Sequence, residues 1–351
     1  MSNLMNHFSH KQIGFLCLLV SLAFTGCSFD QAVQVLKPTA TTEIVEILPT
    51  QSPSQTPTPI IMGTLENPYI IGEINATGSL SQDFSLFLND KTGFYFSQVA
   101  FADYTQLVDA VRGKKVALAW LPPLTYIFLK QDVGARPLLL TNQNGFYYYG
   151  TQFYANVDSG LSIAFDPDIN SNEASAESSN ALAQFTGLRP CFVSETSVSG
   201  YLLPLSLLKA NNIQINEPVF SQSHASVIRA LYTKGICDFG ATFSHLGDPR
   251  TSSSVLSDMP DAVEKIPIIY RSEPIIPNIN ISAFESLPQD LDPLVIAAIL
   301  DLLQADNGLV ILSGSSGYNI SSMKQIDDSA YTTLREIINS LGFNPADAVG
   351  Y

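Results

Sequence analysis

An α/β fold of two similar lobes, each a βαβαβ sheet with flanking helices and with a ligand cleft between the lobes, is predicted by three observations. Strand and helix patterns alternate along the chain. The same order of elements occurs in two separate stretches, and two β-rich segments join those stretches. Alternation implies parallel sheets with right-handed crossovers, which bind ligands beyond the C-terminal ends of their strands.

The bulk composition agrees. A chain of 351 residues with 46% apolar and 14% charged residues fits two ordinary domains and excludes a disordered polymer. Seventeen Lys+Arg against 32 Asp+Glu leave a formal charge of −15 with no basic cluster, which argues against nucleic acid as a partner.

Residues 13–24 are an apolar run behind Lys11, too short for a mature membrane span of about 20 residues. Residues 1–26 therefore read as a signal peptide. The end of that run, Phe24-Thr25-Gly26-Cys27, resembles a bacterial lipobox, which implies that Cys27 is lipidated and begins the mature protein; free secretion is the alternative. Residues 27–64 are then a tether, because the Thr, Pro, Ser and Gln of residues 36–61 have too little apolar surface to bury.

Lobe one is expected over residues 65–156 and 271–351. A strand at 69–74 leads into a helix at 81–91 that places Phe84, Phe87 and Leu88 on one face, followed by a strand at 94–99. Tyr104, Leu107, Val108 and Val111 recur at i, i+3, i+4 and i+7, giving an amphipathic helix over 103–112 before a buried strand at 116–121. The β-rich stretches 137–141 and 146–157 follow, with the chain crossing near Asn156. Helices at 291–304, 309–312 and 328–341 complete this lobe.

Lobe two is expected over residues 157–270, beginning with an exposed loop at 166–179. Its order is strand 190–194, helix 200–210, strand 218–221, helix 223–233 and strand 236–242. His224, Val227, Ile228 and Leu231 repeat the spacing seen in lobe one. A strand at 265–270 returns the chain. Cys191 and Cys237 lie on neighbouring strands, which permits a disulfide; small buried thiols are the preferred expectation.

The chemistry centres on Ser194-Glu195-Thr196-Ser197-Val198-Ser199-Gly200-Tyr201, where an apolar strand turns into a helix through small hydroxylated residues. The first N–H groups of a helix lack internal partners and carry partial positive charge, so hydroxyls at such a turn complete an oxyanion cradle. Ser199 alone reads equally well as a cap. Tyr104 and His224 each open a helix that follows a strand, one in each lobe. Other chemistries lack their motifs: there is no Gly-x-Ser-x-Gly elbow, no Gly-x-x-x-x-Gly-Lys loop, and no metal-ligand spacing among His224, Cys237 and His245.

Several pieces, in order, carry a family resemblance: Asp103-Tyr104, Ala119-Trp120-Leu121-Pro122-Pro123, residues 156–160, Ser197-Val198-Ser199-Gly200-Tyr201, Ser223-His224, residues 237–241 and Ile275-Ile276-Pro277. The chain resembles the PhnD-like substrate-binding proteins of phosphonate, phosphite and phosphate ABC importers, within the type 2 periplasmic binding fold. The resemblance implies a non-enzymatic lipoprotein on the extracytoplasmic face of the bacterial membrane. It would bind a small phosphorus oxyanion without a cofactor and meet permease and ATPase subunits. It also implies ligand contacts from Ser197, Val198, Ser199, Gly200, His224, Tyr104 and Tyr149, with Val198 standing where the family has threonine and Trp120 packing beside the site. Relatives that take aminoalkyl phosphonates carry carboxylates at positions corresponding to the neighbourhoods of His245 and Ile279. Neither is acidic here, so a ligand without an amine is expected, with Asp248 the nearest carboxylate. A sensing receptor, or an enzyme on the same fold, is the alternative.

Overall fold

The first strand lies earlier than expected. In the computed structural model, which describes residues 58–66, 78–173 and 178–350, all of β1 (Ile60–Leu65) but its last residue falls inside the stretch assigned to the tether. The strand expected at 69–74 lies outside the described residues, as do the signal segment and Cys27. β1 is central in its sheet, so its apolar run is continuous instead of alternating. Beside a Pro/Thr-rich stretch, such a run has no period to reveal it. Gly63 is required there because a Cβ would stand 2.5 Å from Leu107 Cδ1.

The chain continues through α1 (Gly78–Thr92), β2 (Phe96–Phe101), α2 (Tyr104–Arg112), β3 (Leu118–Leu121), α3 (Pro123–Val133), β4 (Arg136–Asn142) and β5 (Tyr148–Ala155). Asp103 caps α2 by accepting from Gln106 N–H. α3 escaped the sequence reading because residues 123–129 are all buried, leaving no polar face to set a helical period. A short hairpin, β6 (Phe165–Asp166) and β7 (Ser171–Asn172), occupies the expected loop. Then come α4 (Ser178–Ala183), β8 (Pro190–Phe192), α5 (Leu203–Ala210), β9 (Val219–Phe220), α6 (His224–Thr233) and β10 (Phe239–Ser244). The remainder is α7 (Ser253–Leu256), α8 (Ala262–Lys265), β11 (Ile268–Arg271), β12 (Ile276–Pro277), β13 (Asn280–Ala283), α9 (Asp292–Leu302), α10 (Gly308–Ser316), β14 (Ser322–Gln325) and α11 (Thr332–Leu341).

Two sheets organise these elements. The first has the order β14-β4-β13-β3-β1-β2 and the second β11-β5-β10-β8-β9, with β12 pairing β5. The parallel strands β2-β1-β3 and β9-β8-β10 have the same order, as the repeated element pattern requires. β5, expected in lobe one, instead runs antiparallel to β10 and β11 in the second sheet. The chain therefore crosses at residues 143–147, ahead of β5, and returns at 272–279. Antiparallel pairing partners leave no mark in local hydrophobic pattern.

Apolar clusters cover both faces of each sheet. On sheet one, Phe84, Leu88, Val295, Ile299 and Leu312 form one cluster, and Leu107, Val111, Ile127 and Leu334 another. The second cluster also takes in Val198, Leu202 and Leu203 from the other lobe, so the lobes meet there.

Cys191 and Cys237 form a disulfide with a Cα–Cα distance of 5.6 Å, in place of the free thiols preferred above. Cys237 precedes β10, ahead of the paired register, so its side chain is not held to the alternation of the ladder. The bridge spans 46 residues, for which the chain-entropy model gives about 4 kcal/mol. Replacing both cysteines by serine should lower the urea-unfolding free energy by about that amount. Coincident unfolding curves for the two proteins would contradict a stabilising bridge.

Candidate functional site

A proline dictates the shape of the serine-rich turn. Pro204 has no N–H, so the Gly200 carbonyl four residues earlier lacks its usual helical partner. It accepts instead from Val193 N–H at 3.1 Å, fastening the turn to the end of β8. The turn over Val198–Leu202 is wide: Leu202 N–H donates to the Ser197 carbonyl at 3.0 Å and Leu203 N–H to that of Val198, an i→i+5 pattern. The regular helix consequently begins at Leu203, not at Gly200. Ser197 Oγ accepts from Gly200 N–H at 3.1 Å. A Cβ on residue 200 would stand 2.4 Å from Val193 Cγ2, so only glycine lets the turn lie this close. Val198 and Ser199 are buried at its start, where N–H groups lack intrahelical partners.

His224 opens α6 behind Ser223, whose hydroxyl accepts from Ser226 N–H at 3.1 Å. The loop before it is laid along β8 by Ser221 N–H to the Phe192 carbonyl and Gln222 N–H to that of Val193, both at 2.8 Å. His224 and the serine turn thus share one end of sheet two. The imidazole meets the Phe243 ring edge-on at 4.7 Å, and its Nδ1 is buried with no hydrogen-bond partner. Burial pushes its pKa down to about 4, so the ring is neutral at pH 7.

Three tyrosines gather opposite. Tyr104 is the first residue of α2, Tyr149 lies on β5 across from Ile276, and Tyr318 follows α10. Burial raises all three phenols above their ordinary pKa, with Tyr318 the second cause for both Tyr104 and Tyr149. Tyr104 and Tyr149 also pack on the apolar cluster that contains Val198. Val198 of the serine turn and both expected tyrosines therefore border one continuous apolar cluster, although Tyr149 comes from the second sheet instead of lobe one. Tyr318 was not anticipated; its only sequence signal is its place just beyond a Ser/Gly-rich helix end.

Trp120 packs on Phe84 with ring centroids 6.1 Å apart, as expected of a core residue. His245 lies edge-on to Phe146 at 5.0 Å and shares a 2.7 Å hydrogen bond with Ser244 Oγ. Burial, and secondarily Arg271, pushes its pKa to about 4. Asp248 is engaged by Arg250, whose Nε and Nη2 donate at 3.0 and 2.6 Å. Among the described residues no three His, Cys, Asp or Glu side chains form a metal-binding group.

The histidines fix a pH dependence. Their folded pKa values lie below the unfolded value of about 6.5, so the unfolded chain takes up protons first as pH falls. Stability is full above pH 6.5 and is lost between pH 6.5 and 4, by about 3 kcal/mol for His224. Chemical denaturation across this window should show the loss, and His224→Asn should reduce its slope; an unchanged slope would contradict a buried neutral ring.

The family model described as the periplasmic substrate-binding protein of a phosphonate ABC transporter matches residues 78–331. A search of curated protein sequences finds no match. Among solved structures, PhnD1 from Prochlorococcus marinus in complex with methylphosphonate is 16% identical with a TM-score of 0.54, covering 82% of this chain and 99% of its own. XAC2383 from Xanthomonas citri bound to chloride is 16% identical with a TM-score of 0.59, covering 83% and 99%. The aliphatic sulphonate binding protein SsuA from Escherichia coli is 12% identical with a TM-score of 0.52, covering 84% and 95%. These likenesses show the fold, a two-lobed type 2 periplasmic binding protein. The chain is thus a transporter component and not an enzyme, and it belongs to the family of phosphonate-binding periplasmic substrate-binding proteins of ABC transporters.

Proposed function

We propose that this protein is a lipid-anchored receptor that captures a phosphorus oxyanion lacking an amine between its lobes and delivers it to a permease. The observation that carries the reading is the serine turn at the end of β8, packed in one apolar cluster with Tyr104 and Tyr149. In this reading Ser197, Ser199 and the amide of Val198 hold the oxyanion, while Gly200, whose N–H donates to Ser197 Oγ, lets the turn lie close to β8. Neutral His224 donates one N–H, and Tyr104 and Tyr149 close over the ligand. Hydrogen bonds to charged groups contribute roughly 1.5–3 kcal/mol each, so a few such donors reach the roughly 8 kcal/mol of micromolar binding. Valine in place of the family threonine at 198 removes one donor and keeps its N–H.

The ligand preference follows from what faces an amine. His245 and Ile279 are not acidic, and the Asp248 carboxylate is held by Arg250. A buried ammonium would lose water without gaining a carboxylate, at a cost of several kcal/mol. PhnD1, solved with methylphosphonate, supports the ligand class.

Calorimetry with phosphite, phosphate, methylphosphonate and 2-aminoethylphosphonate tests the reading. The aminated compound should bind weakest, and Ser199→Ala and His224→Ala should each lower affinity about tenfold or more for the best ligand. Tightest binding of the aminated compound, or full affinity in both variants, would refute it. Mass spectrometry of the membrane fraction addresses the anchor: the mature protein should begin at a diacylglyceryl-modified Cys27, and any other N-terminus would exclude it.

A further inference from the structure

We infer that Tyr318 is a specificity-determining residue: it walls a small apolar chamber in lobe one that receives the carbon substituent of the ligand and restricts it to about one carbon. The inference rests on the oxyanion-binding function proposed above.

The chamber lies at the ligand end of sheet one. Its walls include Leu65, the last residue of β1; Trp120 and Pro122, at the end of β3; Tyr104, the first residue of α2; and Ile279 and Tyr318. Parallel α/β sheets bind ligands at this end of their strands. Tyr104 is common to the chamber and to the tyrosine group that packs with the serine turn. A ligand with its phosphoryl oxygens on lobe two therefore presents its remaining substituent to lobe one here.

Chemistry and size both select the substituent. Among the described residues no charged side chain lines the chamber. Of its two small hydroxyls, Thr64 Oγ1 donates to the Ser315 carbonyl at 3.3 Å and Ser316 Oγ to that of Ser313 at 3.2 Å. Both donors are committed to backbone, so the polar atoms left in the walls are the phenols of Tyr104 and Tyr318 and the indole N–H of Trp120, and the rest of the lining is apolar. The space that the centre of a water-sized sphere can occupy is about 10 Å³, roughly one sphere. A methyl group fits and a propyl chain does not.

Tyr318 is held in place by its neighbours. Its N–H donates to Ser316 Oγ at 3.1 Å, and Ile320 N–H donates to Ser313 Oγ at 2.9 Å. These bonds fix the loop that leaves α10, so the phenol is a preorganised wall. Its electrostatic coupling to Tyr104 and Tyr149 is consistent with all three facing one space.

The test is calorimetry on the mature protein with methyl-, ethyl- and propylphosphonate, for wild type, Tyr318→Phe and Tyr318→Ala. Wild type should bind methylphosphonate at least about tenfold more tightly than propylphosphonate, the scale on which a pocket separates chains by methylenes. Tyr318→Ala should shrink that ratio about tenfold, and Tyr318→Phe should keep it. A merely structural role would weaken all three ligands together and leave the ratio unchanged. Ile279→Ala opens the opposite wall and should shift the ratio in the same direction, which decides the matter should Tyr318→Ala not fold. An unchanged ratio in the folded variants, with binding intact, would overturn the chamber while leaving the oxyanion site standing. Failure of wild type to bind any of the three while phosphite or phosphate still binds would overturn the chamber alone; failure with all five would overturn both.

Discussion

The hydrogen bond from Val193 N–H to the Gly200 carbonyl is the constraint on which the site depends. It exists because Pro204 cannot donate to that carbonyl and because residue 200 has no side chain to keep the turn off the strand. One missing N–H thus widens a helical turn, frees a carbonyl and moors the serine segment to β8. The same mooring presses Val198, Leu202 and Leu203 into a cluster with the first lobe. The proposed anion cradle and the lobe contact are therefore two faces of one short segment.

The polar groups at the site are neutral. His224 is kept uncharged by burial, and the tyrosines, protonated at neutral pH in any case, have their pKa raised further by it. In a protein with a formal charge of −15, the proposed function would hold an anion by short-range dipoles, which lose less to screening than exposed opposite charges do. Dipoles must be aimed to be effective. The caps on α2 and α6, and the ties that lay residues 221–222 along β8, do that aiming.

Much of this was legible in the sequence. Amphipathic helices such as α2 and α6 declared themselves by spacing, and the repeated order of strands and helices gave the two lobes. The strand-to-helix transitions at the serine turn, His224 and Tyr104 were legible from the order of elements. Elements buried on all sides were not: β1 and α3 have no polar face and hence no period. Long-range pairing was equally silent, so β5 was assigned to the wrong sheet and Cys191 and Cys237 were expected unbridged. Tyr318 comes to line a cavity with Tyr104 only through the packing of α10, which no local pattern encodes.

The two crossings between lobes are bound to each other. Asn278 N–H donates to the Tyr147 carbonyl at 3.0 Å, and its side-chain amide donates to the carbonyls of Phe146 and Thr141 at 2.8 and 3.3 Å. Beyond them, Ile276 and Pro277 pair with Tyr149 and Tyr148. Two strands joined in this way form a ribbon, and a ribbon flexes readily about one line while opposing shear and torsion. The lobes are consequently geared to a single rotation. In the proposed function, a ligand a few ångströms across, acting near that line, would set the separation of surfaces at the far rim, as a pin near the pivot sets the opening of a pair of tongs.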